Sequence, residues 1–369
     1  RPKDLEREIW DGIRLGPEAA PDALGIEFAH SNEHLDQKLS ELLADQTAIY
    51  VRLAESAEAD RRLRHWMKQV RGQARSGVNA PGEFHDVDAF IHEMRLFKDA
   101  HEIEVMRRAA AISARAHIRA MQTCKPGMRE YHLEAELLHE FRHSGAQSVA
   151  YNSIVAAGAN SCILHYRAGS TELRSGDLCL IDAGCELDGY ASDITRTFPV
   201  NGKFTGPQRA LYDITLAAQE AAIAATRPGN TFIDPHDAAL KVLTQGLLDE
   251  NLLKLSEVGS LDNAIETGAY RRFYMHRTSH WLGMDVHDVG SYRESTVEKE
   301  KPWRTLQSGM VITIEPGLYV RPADDVNEAF WNIGIRIEDD AVINDSGCEL
   351  ISRGVPVKPD EIEALMKNG

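Results

Sequence analysis

The sequence predicts an α+β protein in which a small N-terminal domain precedes a larger domain of two similar halves. Three observations support this. The texture changes near residue 95, so domains of 1–95 and 96–369 are expected. Beyond that point two helical patterns followed by strand-like runs occur twice in succession. Finally, several apolar strand patterns carry or end in an acid, which ordinary core strands do not do.

The first 95 residues read as mixed α/β. "EHLDQKLSELL" places Leu35, Leu39 and Leu42 at helical spacing. "TAIYVRL" reads as a strand, and "AEADRRLRHWMKQVRG" as a helix stopped at Gly72. The loop formers of "GQARSGVNAPGEFHD" (Gly72–Asp86) lead towards the boundary. In the second part, Asp99-x-x-Glu102 is a capping pattern ahead of a long helix, and "REYHLEAELLHEFRHSG" is a helix ending at Gly145. Thr205-x-x-Gln208 caps a third helix that runs towards Pro228–Gly229, and "DPHDAALKVLTQGLLDEN" is a fourth.

Composition narrows the function. The formal net charge is −16, which argues against nucleic acid or an anionic membrane as a partner. The hydrophobic share of 43% is ample for real cores, and no apolar run approaches membrane-spanning length. Five cysteines, with no CxxC pair, suggest free thiols and a reducing, cytoplasmic location. The chain starts at Arg1 with no methionine, so a preceding segment is compatible with the sequence.

The acids carry the chemistry. In "LIDAGCELDGYASDITRTFPV", Asp188–Gly189 signals a two-residue hairpin turn. Leu187 then opposes Tyr190, and Asp182 opposes Thr195. Asp193 falls on the face of Asp182, a diagonal neighbour roughly 7–8 Å away at Cα. "VITIEPG" puts Glu315 at the end of an apolar strand closed by Pro316, and "GIRIEDD" puts Arg336 and Glu338 on one face. Taken singly, Asp193 reads equally well as a surface residue, and Arg336–Glu338 as a surface ion pair. "FYMHRTSHWLGMDVHDVG" adds His276, His280 and His287. A four-residue step sets His276 and His280 on one face of a helix or a strand. Together, four acids and an imidazole form a hard, oxygen-rich donor set. Two divalent ions, Mn²⁺ before Zn²⁺ or Co²⁺, would satisfy the buried carboxylates.

These motifs, with "CILHY" and "EIWDGIRLGPEAAPDALGI", resemble the aminopeptidase P family of pita-bread metallopeptidases. The resemblance runs from about Met94 to Met366 and extends into the N-terminal part. It implies a pita-bread catalytic domain behind an N-terminal domain of which about half is present. It also implies an Xaa-Pro aminopeptidase that releases the first residue of peptides with proline second, using water activated between two metal ions. Prolidase activity is the alternative, and a non-catalytic binding module a further one. The metal ligands carried over are Asp182, Asp193, His280, Glu315 and Glu338, with Asp193 and Glu338 bridging and Asp182 able to bind through both oxygens. Glu315 would be the general base. His165, His276 and His287 would line the scissile bond and proline ring, Tyr319 and Arg336 would orient ligands or substrate, and Tyr151 is a candidate for the proline pocket. A homo-oligomer, dimer or tetramer, is implied as well. Arg277 departs from the pattern, since a relative has glycine there; it would bind a substrate carboxylate or point to solvent, the favoured reading.

Overall fold

The computed structural model describes residues 1–295 and 299–367, so the last two residues of the expected 96–369 domain lie outside it. The chain divides into two compact units, Arg1–Ile91 and His92–Gly369.

In the first unit, Ser56 accepts a hydrogen bond from the Ala59 amide and caps the helix Ala57–Arg71. The helix expected from Glu33 opens with a 3₁₀ turn, Asn32–His34, and becomes α-helical at Leu35–Leu43. Trp66 Nε1 donates to Asp36 Oδ1 at 2.7 Å and joins the two helices. The stretch Gly72–Asp86, expected as loop, ends in a strand instead. Glu83–Asp86 pairs in parallel with Ala48–Val51. "EFHD" has no apolar alternation to announce a strand, so backbone pairing with a neighbour decides it.

In the second unit the helices α1 (Ala100–Thr123) and α2 (Glu130–His143) pack together; α1 lies against the hairpin strands Cys185–Leu187 and Tyr190–Ala191, and α2 against Ile154–Ala157, the edge strand of an antiparallel sheet. Asp99 accepts from the His101 and Glu102 amides at 2.8 and 2.9 Å, while Glu102 accepts from the Asp99 amide at 2.7 Å. That reciprocal box starts α1. The sheet runs β1 (Ile154–Ala157), β2 (Leu178–Asp182), β3 (Thr195–Pro199), with β2 in the centre. Asp182 pairs with Thr195, and Leu187 with Tyr190. The turn between them has φ of 49° at Asp188 and 83° at Gly189, as the right-handed twist of a tight hairpin requires. A Cβ at Gly184 would overlap the Ser192 carbonyl, so the chain can cross there only as glycine.

The second half repeats the plan. Helices α3 (Gly206–Ala225) and α4 (Asp234–Asp249) pack on each other. Strand β4 (Val311–Ile314) is followed by β5 (Gly317–Val320), β6 (Ile333–Arg336) and β7 (Asp339–Asn344). β4 pairs antiparallel with β7, β5 with β6, and β7 also with Gly347–Leu350. The two halves are equivalent where it matters. The last residue of β2, Asp182, pairs with the first of β3; the last of β4, Ile314, pairs with the first of β7. Each outgoing strand therefore delivers an acid at its end, Asp182 or Glu315. Each incoming strand has one just ahead of it, Asp193 or Glu338. A single bridge, Thr195 to Glu338, joins the halves at this point.

Helix α3 begins with a full box: the Thr205 hydroxyl accepts from the Gln208 amide at 3.4 Å, and Gln208 Oε1 accepts from the Thr205 amide at 2.9 Å. Thr205→Ala is expected to cost about 1 kcal/mol, read as a lower urea midpoint at unchanged slope.

Candidate metal centre and active site

The four strand ends bring Asp182, Asp193, Glu315 and Glu338 to the floor of a cavity of about 310 Å³. His280 and Arg336 share that floor; His165, His276, Ser279 and His287 form the walls, and Arg277 stands at the mouth. A second cavity, of about 540 Å³, adjoins it and shares His165, Asp182, Asp193 and His287; Tyr151 and Arg167 line its other side. The two therefore meet at the carboxylates.

The histidine segment is neither helix nor regular strand. Residues 278–282 lie extended along β4, with Glu315 N donating to Thr278 O at 2.7 Å and Thr313 N to His280 O at 3.0 Å. This differs from the expected single face at a four-residue step. Tertiary pairing, not local periodicity, aims the rings. His280 Nδ1 lies 2.9 Å from the Trp281 carbonyl, which can only accept, so Nδ1 carries the proton. Nε2 then faces Asp193 Oδ2 at 3.5 Å and Glu315 Oε1 at 3.7 Å. Burial works against charge on this ring, but the Asp193 contact and the Glu315 charge outweigh it and raise its pKa to about 9.

The carboxylates show the same excess of negative charge. Burial, reinforced by the Asp182 charge, pushes Asp193 up. Burial with the Asp193 and Glu315 charges pushes Glu338 well above the usual carboxylate range. Burial also lifts Glu315 to about 7, against the opposing pull of His280 and Arg336. Ligand atoms of Asp193, His280 and Glu338 all lie within 4.8 Å of one another. An imidazole nitrogen and converging carboxylates with too little positive charge among them fit divalent cations, which would take the place of the Nε2 proton.

Each acid has different company. Asp182 Oδ1 accepts from the Tyr151 hydroxyl at 2.5 Å and Oδ2 from Arg336 at 2.6 Å. Both oxygens on which metal binding was expected thus take protein donors, as a buried carboxylate requires. The same Tyr151 hydroxyl reaches Asp193, which sets its polar end on the acids rather than on a proline pocket. Glu338 Oε2 accepts from Thr195 at 2.5 Å. Glu315 differs: no hydrogen bond to its carboxylate occurs among the described residues, the His276 ring being 3.8 Å away.

His276 faces inward in an unexpected way. Nδ1 donates to the Arg277 carbonyl at 2.8 Å, and Nε2 lies 2.9 Å from the Tyr319 hydroxyl. Burial holds the ring neutral, with its pKa pushed down to about 3, so Nε2 accepts. Tyr319 in turn accepts from Arg336 at 3.0 Å. A chain of donors runs Arg336 to Tyr319 to His276 and leaves neither ring nitrogen for a ligand. The rings of His165 and His287 make no hydrogen bond among the described residues. Arg336 and Glu338 are 4% and 1% exposed, which excludes a surface ion pair, and Arg336 bonds Asp182 rather than its neighbour.

Four residues that matter were not singled out. Thr195 holds Glu338 and accepts from Arg336 Nε at 3.2 Å; its place opposite Asp182 was the available clue. Glu130, fully buried, accepts from Ala157 N, Asn160, the Tyr166 hydroxyl and Gly169 N at 2.9–3.0 Å, and so fixes the loop that carries His165. Arg196 and Asp339 form a fully buried ion pair at 2.8 Å.

Comparison with known proteins identifies the family. The model of metallopeptidase family M24 matches residues 104–345, and that of the aminopeptidase P N-terminal domain matches residues 1–50. The Xaa-Pro aminopeptidase of Escherichia coli is 47% identical over 366 residues, 99% of this chain and 81% of that protein. Human Xaa-Pro aminopeptidase 3 is 34% identical, covering 98% of this chain and 68% of its own. The structure of Pseudomonas aeruginosa aminopeptidase PepP superposes with a TM-score of 0.95 at 48% identity, over all of this chain and 81% of that one. An E. coli aminopeptidase P variant in complex with substrate gives 0.94 at 47% identity, again over all of this chain and 81% of that one. The two repeated halves are thus those of the pita-bread fold, and the chain belongs to metallopeptidase family M24, in its aminopeptidase P branch.

Proposed function

We propose that this chain is an Xaa-Pro aminopeptidase, a hydrolase that releases the N-terminal residue of peptides with proline second. The observation that carries the reading is the cavity floor: all five expected ligands line it, Asp182, Asp193 and Glu338 buried and His280 and Glu315 half-buried, flanked by His165 and His287, whose rings make no hydrogen bond among the described residues. Asp182, Asp193, His280, Glu315 and Glu338 would hold two divalent ions, and the predominance of carboxylate oxygen supports Mn²⁺ over Zn²⁺ or Co²⁺. When bound, such ions lower the pKa of water and polarise a carbonyl.

The chain's own residues do the rest. Glu315, poised near neutrality, takes the proton of the attacking water. His287 donates to the carbonyl oxygen as charge develops on it. The leaving nitrogen belongs to proline, which brings no N–H for the enzyme to grip, and Glu315 returns its proton there. His165 lines the wall against which the proline ring packs. Tyr319 and Arg336, locked by His276, hold Asp182 in place.

Among the described residues no helix is long and apolar enough to cross a membrane. A cytoplasmic location is part of the proposal, supported by five free cysteines, four of them buried. So is a homo-oligomer, for which the exposed Leu5, Ile9 and Trp10 of helix Leu5–Asp11 offer apolar surface. Mn²⁺-dependent cleavage of an Xaa-Pro-Ala tripeptide beside the Xaa-Pro dipeptide tests the activity. Efficient tripeptide cleavage is expected. Cleavage of the dipeptide alone makes the enzyme a prolidase, and metal binding without any turnover a binding module.

A further inference from the structure

The cavity holds four carboxylates but two guanidiniums, and these are not alike. Arg336 is buried and spent on Asp182, Tyr319 and Thr195. Arg277 is exposed at the mouth, and among the described residues its side chain makes no ion pair and no hydrogen bond. It is not loose, however. Its Cζ sits 5.0 Å from the ring centroid of Trp303, which also carries Arg293 at 3.3 Å. Trp303 is pinned in turn, since it forms an isolated β-bridge with Arg293 and Arg293 donates to the Lys301 carbonyl at 2.9 Å. Stacking on an aromatic face restrains a guanidinium while leaving its N–H fork open. An open fork of this kind matches the two oxygens of a carboxylate.

Resting on the aminopeptidase reading, we propose that Arg277 is a specificity residue that binds a carboxylate on the leaving-group side of the substrate. Arg277 follows His276, and its backbone carbonyl takes the His276 Nδ1 proton. The guanidinium lines the same cavity as His165 and His276 but is exposed, and on this proposal it meets the part of the peptide that leaves the cavity beyond proline. A cation at the mouth attracts the free carboxylate of the substrate and keeps it outward, away from the metal-binding floor. Pre-ordering by Trp303 reduces the entropy lost when the pair forms. The carboxylate is either the C-terminus of a tripeptide or an acidic side chain at the third position.

The test compares kcat/KM for Ala-Pro-Ala, its C-terminal amide, and Ala-Pro-Asp-amide, in the full chain loaded with Mn²⁺. The wild type should favour the free acid over the amide by about tenfold, mainly through KM. Arg277→Gly and Arg277→Gln should bring that ratio to about one, and Arg277→Lys should restore part of it. A preference for Ala-Pro-Asp-amide over the alanine amide, lost with Arg277, extends the site to side chains; its absence limits the site to the C-terminus. An acid-to-amide ratio that Arg277→Gly and Arg277→Gln leave unchanged overturns the proposal. No cleavage of any of the three by the wild type overturns the parent reading, and this one falls with it.

Discussion

Glu315→Gln should lower kcat by about 10²–10⁴-fold while the protein keeps its bound metal. The choice of this acid over its three neighbours follows from their company. Asp182 is clamped by Tyr151 and Arg336, Asp193 is reached by Tyr151, and Glu338 is held by Thr195. A hydrogen-bond donor already on the carboxylate opposes proton uptake, most of all at Asp182 with one on each oxygen, while Glu338 is pushed so far up that it is a poor carrier of charge to begin with. Glu315 lacks such donors among the described residues, and burial lifts it to about 7, where a base serves best at neutral pH. Glutamine preserves the shape and one oxygen donor but cannot carry the proton. Turnover of Xaa-Pro-Ala and metal content by elemental analysis are the two readouts. Full activity in the variant, or a loss that tracks metal loss alone, would remove Glu315 from the base role.

Much of this centre was legible because the acids break a rule. Asp182 and Glu315 stand where an apolar strand should end in something harmless, and Asp188–Gly189 sets the register that faces Asp182 towards Thr195. Strand period and turn chemistry are local, so one sequence is enough to read them. What escaped is non-local. All five residues of Thr195–Pro199 are buried, so alternation could not show which face Arg196 serves. Glu130 stands in the first turn of α2, a common place for an acid, yet its four partners come from the distant segment Ala157 to Gly169. The path of residues 278–282 along β4 is a tertiary pairing, whereas the four-residue step from His276 to His280 suggested one face of a regular element. The four-residue strand Glu83–Asp86 was invisible for the same reason.

The largest expected stability effect belongs to Arg196→Met. Arg196 and Asp339 are both fully buried, and the guanidinium also donates to the carbonyls of Thr195, Glu338, Val355 and Pro356 at 2.6–3.3 Å. It therefore ties β3 of one half to the residue ahead of β7 in the other, next to the acids Asp193 and Glu338. Removing one partner of a buried pair leaves an uncompensated charge and costs about 3–5 kcal/mol. The lower end is expected here, because Arg353 at 3.0 Å and Gln219 at 3.0 Å still reach Asp339. Four backbone carbonyls lose a donor at the same time, which methionine cannot replace. Urea unfolding followed by tryptophan fluorescence gives the comparison. Adding Asp339→Leu to Arg196→Met should not recover the loss, since Arg353, Gln219 and the Ser352 hydroxyl would lose their acceptor in turn. A single variant with an unchanged midpoint would mean that the halves are held by packing alone. A destabilised variant whose turnover of Xaa-Pro-Ala also falls would show that the same arginine, through the Glu338 carbonyl, keeps the two halves of the metal centre in register.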